Sequence, residues 1–189
     1  MRLGSSPRQH PMTKEEKEAR LKTFISDHLA AAKRDGASAL SYRLLALSME
    51  SPAACALRGL AAELAEAGVT VEIVLTKRTQ TPSPEHADCR FVTDARLLDA
   101  HEQLVLDSST VWIGDCMRRD PQRRDTYEQF SSDSPATAAR AAGSFAQIWR
   151  AAGRFNAERK TAPVRAVPLF DPSLIAGAEQ APAPALLRH

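Results

Sequence analysis

Apolar residues recur at three- and four-residue intervals through Leu21, Phe24, Ile25, Leu29 and Ala32, which predicts an amphipathic helix ending at Gly36. Thr13 and Glu16 stand ahead of it at capping-box spacing, where a hydroxyl and a carboxylate satisfy amides left over at a helix start. The polar side of this helix alternates Lys14, Lys17, Arg20 and Lys22 with Glu15, Glu16 and Glu18, and reads as a solvated face. Residues 39–47 then form an apolar run of strand length. Ser51-Pro52 supplies an N-cap and a first-turn proline for a helix through Leu57, Leu60, Ala61 and Leu64 to Gly68. Val69 to Leu75 is β-branched and predicts a buried strand. Strand, helix and strand in this order predict a right-handed crossover joining two parallel strands.

Residues 77–88 are polar and contain two prolines, the composition of a long loop. Cys89-Arg-Phe-Val92 is a short strand, and Asp94 to Asp99 a helical turn. Gln103-Leu-Val-Leu106 and Val111-Trp-Ile113 flank Asp107-Ser-Ser-Thr110 as a hairpin, in which Asp107 caps the turn. Asp120-Pro121 opens a helix reaching Phe130. Ser134-Pro135 opens another, with Ala138, Ala141, Ala142, Phe145, Ile148, Trp149 and Ala152 as its stripe. Trp112 and Trp149 are expected in the core. The organisation expected is a disordered lead over 1–12, one α/β domain over 13–155 and a flexible Ala/Pro-rich tail over 156–189, with Met12 an alternative native start.

Composition narrows the choice of function. The 189 residues carry 25 Lys plus Arg against 23 Asp plus Glu, a net charge of +2 that declares no polyanionic partner. The charges are unevenly placed: 8 basic and 5 acidic residues over 1–36, 10 and 14 over 37–130, 7 and 4 over 131–189. An acidic centre between basic flanks disfavours a nucleic-acid groove in the middle of the fold. No apolar run reaches the length of a membrane span or of a secretory signal, so a cytoplasmic protein with no membrane association is expected. Cys55, Cys89 and Cys116 are odd in number and far apart, which suggests neither a disulfide framework nor a metal site. Eight isolated glycines make no phosphate loop, and no zinc-protease or hydrolase motif occurs, so no cofactor is expected.

Two groups of residues are left as carriers of chemistry. Arg118, Arg119, Arg123 and Arg124 form the densest basic run, a candidate anion-binding surface, although Asp115, Asp120 and Asp125 interleave with them as a solvated face would require. The other group, His101, Gln103 and the turn residue Asp107, is singled out by the resemblance described next.

The stretch His101-Glu-Gln-Leu-Val-Leu-Asp107, the apolar strand to Gly114-Asp-Cys and the helix ending in Phe145-x-x-x-Trp149 resemble the second part of a phospholipase D-like half-domain. That family's pattern is His-x-Lys, four residues, Asp, a turn, an apolar strand and Gly-[Gly/Ser]-x-Asn. The crossover ending in Gly68-Val-Thr-Val is similar to the family's as well, so that the resemblance runs over about residues 24–152. It implies an α/β fold with a mixed sheet flanked by helices.

With Asp107 on the family aspartate, Ala100 takes the place of the nucleophilic His, Glu102 that of the phosphate-binding Lys, and Met117 that of Asn, while Gly114 matches. Alanine has no nucleophile, and Glu for Lys inverts a Coulomb term of about 4 kcal/mol at contact. A second register keeps His101 as the family His and puts Gln103 at the lysine position, one residue short of the family spacing. Because side chains alternate faces, that register needs a bulge or a deletion.

The resemblance therefore implies a non-catalytic phospholipase D-like binding or regulatory protein that acts through contacts with a protein partner. A single half-domain also implies a homodimer. The alternatives are a dimeric phosphodiesterase or nuclease using His101 from each subunit, and a nucleic-acid-binding protein assisted by its basic flanks.

Overall fold

A computed structural model describes residues 12–37, 39–78, 81–84, 86–118 and 128–154. Helix α1 spans Lys14–Arg34, and the capping box forms as the spacing predicts: the Glu16 amide donates to the Thr13 hydroxyl, and the Thr13 amide to the Glu16 carboxylate. Gly36 follows its C-cap in the left-handed region, at φ +66°. Strand β1, Ser41–Ala46, runs back along the helix. The second predicted helix divides into α2, Pro52–Gly59, and α3, Ala61–Glu66. Strand β2 spans Thr70–Leu75 and pairs parallel with β1, Leu44 opposite Ile73, as the crossover requires.

The remaining strands are β3 Ala87–Phe91, β4 His101–Val105, β5 Val111–Cys116, β6 Gln129–Ser131 and β7 Gly153–Arg154. Helix α4 covers Pro135–Ala151, and a 3₁₀ turn covers Ala95–Asp99. The strands form one seven-stranded sheet in the order β6-β5-β4-β1-β2-β3-β7. Neighbours β1, β2 and β3 are parallel, and the other pairs are antiparallel, so the sheet is mixed.

Alternation along the strands decides which layer each side chain joins. Tyr42, Leu44, Ile73, Leu104 and Trp112 face α1 and α2, where Leu21, Ile25, Leu29 and Leu57 complete the larger core. Leu45, Val74, Val105 and Val111 face α4, which brings Phe145, Ala138 and Ala141. Trp112 is 1% exposed, as expected of core, whereas Trp149 is half-buried at the rim, stacked on Phe145 with the Arg90 guanidinium over its ring.

Four sequence expectations are corrected. The helix from Asp120 toward Phe130 lies mostly outside the described residues, and its last part is strand β6. There Phe130 pairs with Trp112 across the ladder and meets Phe24 edge-on at 5.0 Å, contacts available to it from an extended strand. Ser51 makes no side-chain cap on α2, because its hydroxyl is directed elsewhere. Lys17 is not on a solvated face: it continues the stripe Leu21, Ile25, Leu29 by one turn and is 5% exposed. Finally, the crossover helix is broken at Gly59-Leu60, with the Lys22 side chain lying against Gly59. The expected lead and tail, apart from Met12, lie outside the described residues, as do Arg119, Arg123 and Arg124.

Candidate functional sites at the two ends of one strand

Strand β4 carries His101 and Gln103, and Asp107 follows it in the turn, so the three singled-out residues are not brought together. His101 opens the strand and Asp107 lies beyond its end, six residues and about 20 Å apart at the rise of a strand. They belong to two different sites.

At the first end, the positions that the family resemblance assigns to catalysis are filled by internal contacts. Ala100 packs with the Leu45, Val74, Met117 and Phe145 cluster. Glu102 is 4% exposed, and its Oε1 receives the Leu47 amide at 3.0 Å and the Ser51 hydroxyl at 2.6 Å. This is where the Ser51 hydroxyl goes instead of capping α2. A carboxylate so placed is held by charge-assisted hydrogen bonds and joins β4 to the end of β1 and the start of α2.

His101 is exposed, and its Nδ1 lies 2.7 Å from the Gly114 carbonyl. A carbonyl only accepts, so Nδ1 carries the proton. The β4–β5 ladder is bulged here: from Gln103 opposite Ile113 to His101 opposite Cys116, β5 uses one residue more than β4. Gln103 itself is turned to the α4 side and donates to the Ala141 carbonyl at 3.2 Å. Gly114 sits in the bulge for a steric reason, since a Cβ there would stand 2.2 Å from Trp112 Cη2. Arg118 is exposed and paired with Asp99, Nε to Oδ1 at 2.6 Å.

Beneath this end lies a buried ion pair that the sequence reading missed. Lys17 Nζ bonds Asp115 Oδ2, each residue 5% exposed, joining α1 to β5. Arg20 reaches Glu128 at 2.9 Å alongside it. Burial raises the Glu128 carboxyl above its ordinary range, and the Arg20 and Lys17 charges act against that rise. The signal for Lys17 was available, because it is four residues before Leu21. A lysine among alternating charges masked it.

At the second end, Asp107 closes the hairpin turn. Its Oδ1 accepts the Ser109 and Thr110 amides at 2.7 and 2.6 Å, as a turn-capping aspartate does. Its Oδ2 accepts from His28 Nε2 at 2.8 Å, and His28 Nδ1 lies 2.8 Å from the Tyr42 hydroxyl. In the neutral ring Tyr42 donates to Nδ1 and Nε2 donates to the carboxylate, so every member is satisfied. Burial would raise the Asp107 carboxyl, but the His28 bond and the two turn amides outweigh it and hold the group at about 2. Burial, with the Asp107 charge added, pushes the Tyr42 phenol up to about 12.

His28 and Tyr42 had no counterpart among the sequence candidates. His28 lies on the edge of the α1 stripe, four residues after Phe24, and nothing local marks it. Next to this chain of bonds a cleft of about 520 Å³ opens between the last turns of α1, the start of β1, the hairpin and the residue after β6. Among the described residues no group of three or more His, Cys, Asp or Glu is arranged to hold a metal ion. None of the described helices is long and apolar enough to cross a membrane.

Solved structures share this architecture. Nuc from Salmonella typhimurium, a phospholipase D family member, matches with a TM-score of 0.52 at 15% sequence identity, over 73% of this chain and 90% of that one. TrmBL2, an archaeal chromatin protein with a novel mode of DNA binding, matches with a TM-score of 0.51 at 14% identity, over 79% of this chain and 56% of that one. The fold is therefore phospholipase D-like, an α/β fold with a mixed sheet between helices. No family model matches the sequence, and no curated protein matches it.

Proposed function

We propose that this chain is a phospholipase D-fold binding or regulatory module without phosphodiesterase activity, acting on a protein partner. The observation that carries the reading is Glu102. It stands where the resemblance calls for a phosphate-binding lysine, and it is buried with its carboxylate engaged by Leu47 and Ser51. A phosphodiester brought to that position meets a buried acidic side chain engaged by the fold instead of a cation, and Ala100 nearby offers no nucleophile. Removing the carboxylate would take the acceptor from the part-buried Leu47 amide and the Ser51 O–H, so Glu102 is built into the fold as well as unsuited to the chemistry.

One observation favours the phosphodiesterase alternative: His101, the family His of the second register, is exposed at the start of β4. The DNA-binding alternative has its support in the shared fold of the archaeal chromatin protein.

One set of assays separates the three. The purified chain and its His101→Ala variant are incubated with bis(p-nitrophenyl) phosphate, and each is titrated with duplex DNA across a range of salt. The proposal expects no turnover by either protein and no steeply salt-dependent retention of DNA. Turnover by the wild type that His101→Ala abolishes overturns it in favour of the enzyme. Strong, salt-sensitive DNA binding overturns it in favour of the nucleic-acid reading.

A further inference from the structure

We infer that the cleft beside the β4–β5 hairpin is a binding site for a small organic cation that joins an ammonium or guanidinium group to an apolar body. The site is at the opposite end of β4 from Glu102 and stands independently of the function proposed above.

Its volume of about 520 Å³ lies within the range of small-molecule sites. One wall is apolar: the Phe24 ring, held edge-on by Phe130, with Ala31 and Leu40. Asp27, Asp35 and Asp107 line the same space, and among the described residues no lysine or arginine does. Helix α1 ends against the cleft with Asp35 as its C-cap; its Ala31, Ala32 and Lys33 carbonyls accept the Asp35, Ala37 and Gly36 amides, so the backbone contributes only the negative end of the helix dipole. Lys33 and Arg34 in that last turn are not among the lining residues.

The floor is also organised ahead of any ligand. His28, its side chain 10% exposed, is fixed by Tyr42 on one side and Asp107 on the other, so Asp107 is oriented and ionised. A cation with an aromatic or aliphatic body gains contact with the apolar wall and Coulomb attraction from the aspartates. An anion of the same shape meets three carboxylates. The cation can be free in solution or be the side chain of a basic residue in a peptide, and both share this chemistry.

The test uses the full chain and three probes: phenethylamine, phenylacetate and acetyl-Arg-Phe-amide. Binding is read by calorimetry and by amide chemical shifts. Phenethylamine is expected to bind, to shift the amides of Phe24, His28, Ser109 and Thr110, and to weaken as salt is raised. Phenylacetate is expected not to bind. Tighter binding of acetyl-Arg-Phe-amide than of phenethylamine assigns the cation to a peptide, and the reverse assigns it to a free amine. The double variant Asp27→Asn/Asp35→Asn alters two exposed side chains, so it keeps the fold, and it is expected to bind about tenfold more weakly. Equal binding of phenylacetate, an unchanged double variant, shifts confined to other parts of the chain, or binding of neither cation overturns the inference.

Discussion

The two ends of strand β4 put polar side chains to opposite uses. At the start of the strand, Glu102 is covered and its carboxylate serves Leu47 and Ser51, while Lys17 and Asp115 bury their charges against each other close by. Beyond its far end, Asp107 is part-exposed, and a chain of hydrogen bonds leads from it through His28 to a buried tyrosine beside an open cleft. At the first end Glu102 and Ala100 are packed into the fold while His101 is exposed. At the other end Asp107, which takes the place of the family aspartate, lies beside a cleft of about 520 Å³. Position in a familiar motif thus does not by itself tell whether a side chain is packed into the fold or open to a ligand.

The sharpest way to break this contrast is to disturb the buried pair at the first end. Lys17→Ala leaves Asp115 buried without its lysine and is expected to cost about 3–5 kcal/mol in urea denaturation. Lys17→Met with Asp115→Leu is expected to recover most of that loss. A loss below about 1 kcal/mol in the single variant would show that solvent reaches Asp115 and that the pair is not buried. Next comes Gly114→Ala, whose methyl is directed at the Trp112 indole and is expected to cost about 3 kcal/mol, with a changed tryptophan emission spectrum.

Glu102→Ala strands the Leu47 amide and the Ser51 hydroxyl and is expected to cost about 1–3 kcal/mol. Glu102→Gln, which keeps an acceptor oxygen, is expected to cost less than Glu102→Ala.

The Asp107 end is expected to respond to pH instead. The Asp107 carboxyl is at about 2 in the folded chain against an ordinary 3.8, so its stabilisation is complete above about pH 4 and is lost as pH falls toward 2. Denaturation curves between pH 5 and pH 2 are expected to be steeper for the wild type than for Asp107→Asn. Equal slopes would show that the His28 and turn bonds do not favour the ionised carboxyl.

The smallest effect is expected for Tyr42→Phe, about 1 kcal/mol at neutral pH for one lost hydrogen bond. Because the phenol is raised to about 12, its contribution is complete below pH 10 and lost between about pH 10 and pH 12. That alkaline loss is expected to be smaller in Tyr42→Phe.

Local rules carried most of the architecture. The Thr13–Glu16 box, the stripe from Leu21 to Ala32, the β-branched run at Val69–Leu75 and the Asp107 turn each report short-range physics, and each forms as its pattern predicts. Strand β6 was misread because its neighbours in sequence favour a helix, while Phe130 is drawn into the sheet by Trp112 and Phe24. Lys17 was misread because charge alternation looks alike on a wet face and over a buried aspartate. Of the candidate site, Asp107 was recognised as a turn cap; Glu102 was singled out only through the family resemblance, and its burial was not foreseen. Their partners could not be recognised, since Leu47 is 55 residues from Glu102 and His28 is 79 from Asp107.

Side-chain period, caps and turn chemistry act over a few residues, so most of the order of strands and helices is written in the chain itself. Whether a given carboxylate is buried or open, and which histidine or lysine stands opposite it, depends on segments brought together only when the sheet closes between its two layers of helices. That packing covered Glu102 and left a cleft beside Asp107, lined by the last turns of α1 and the hairpin.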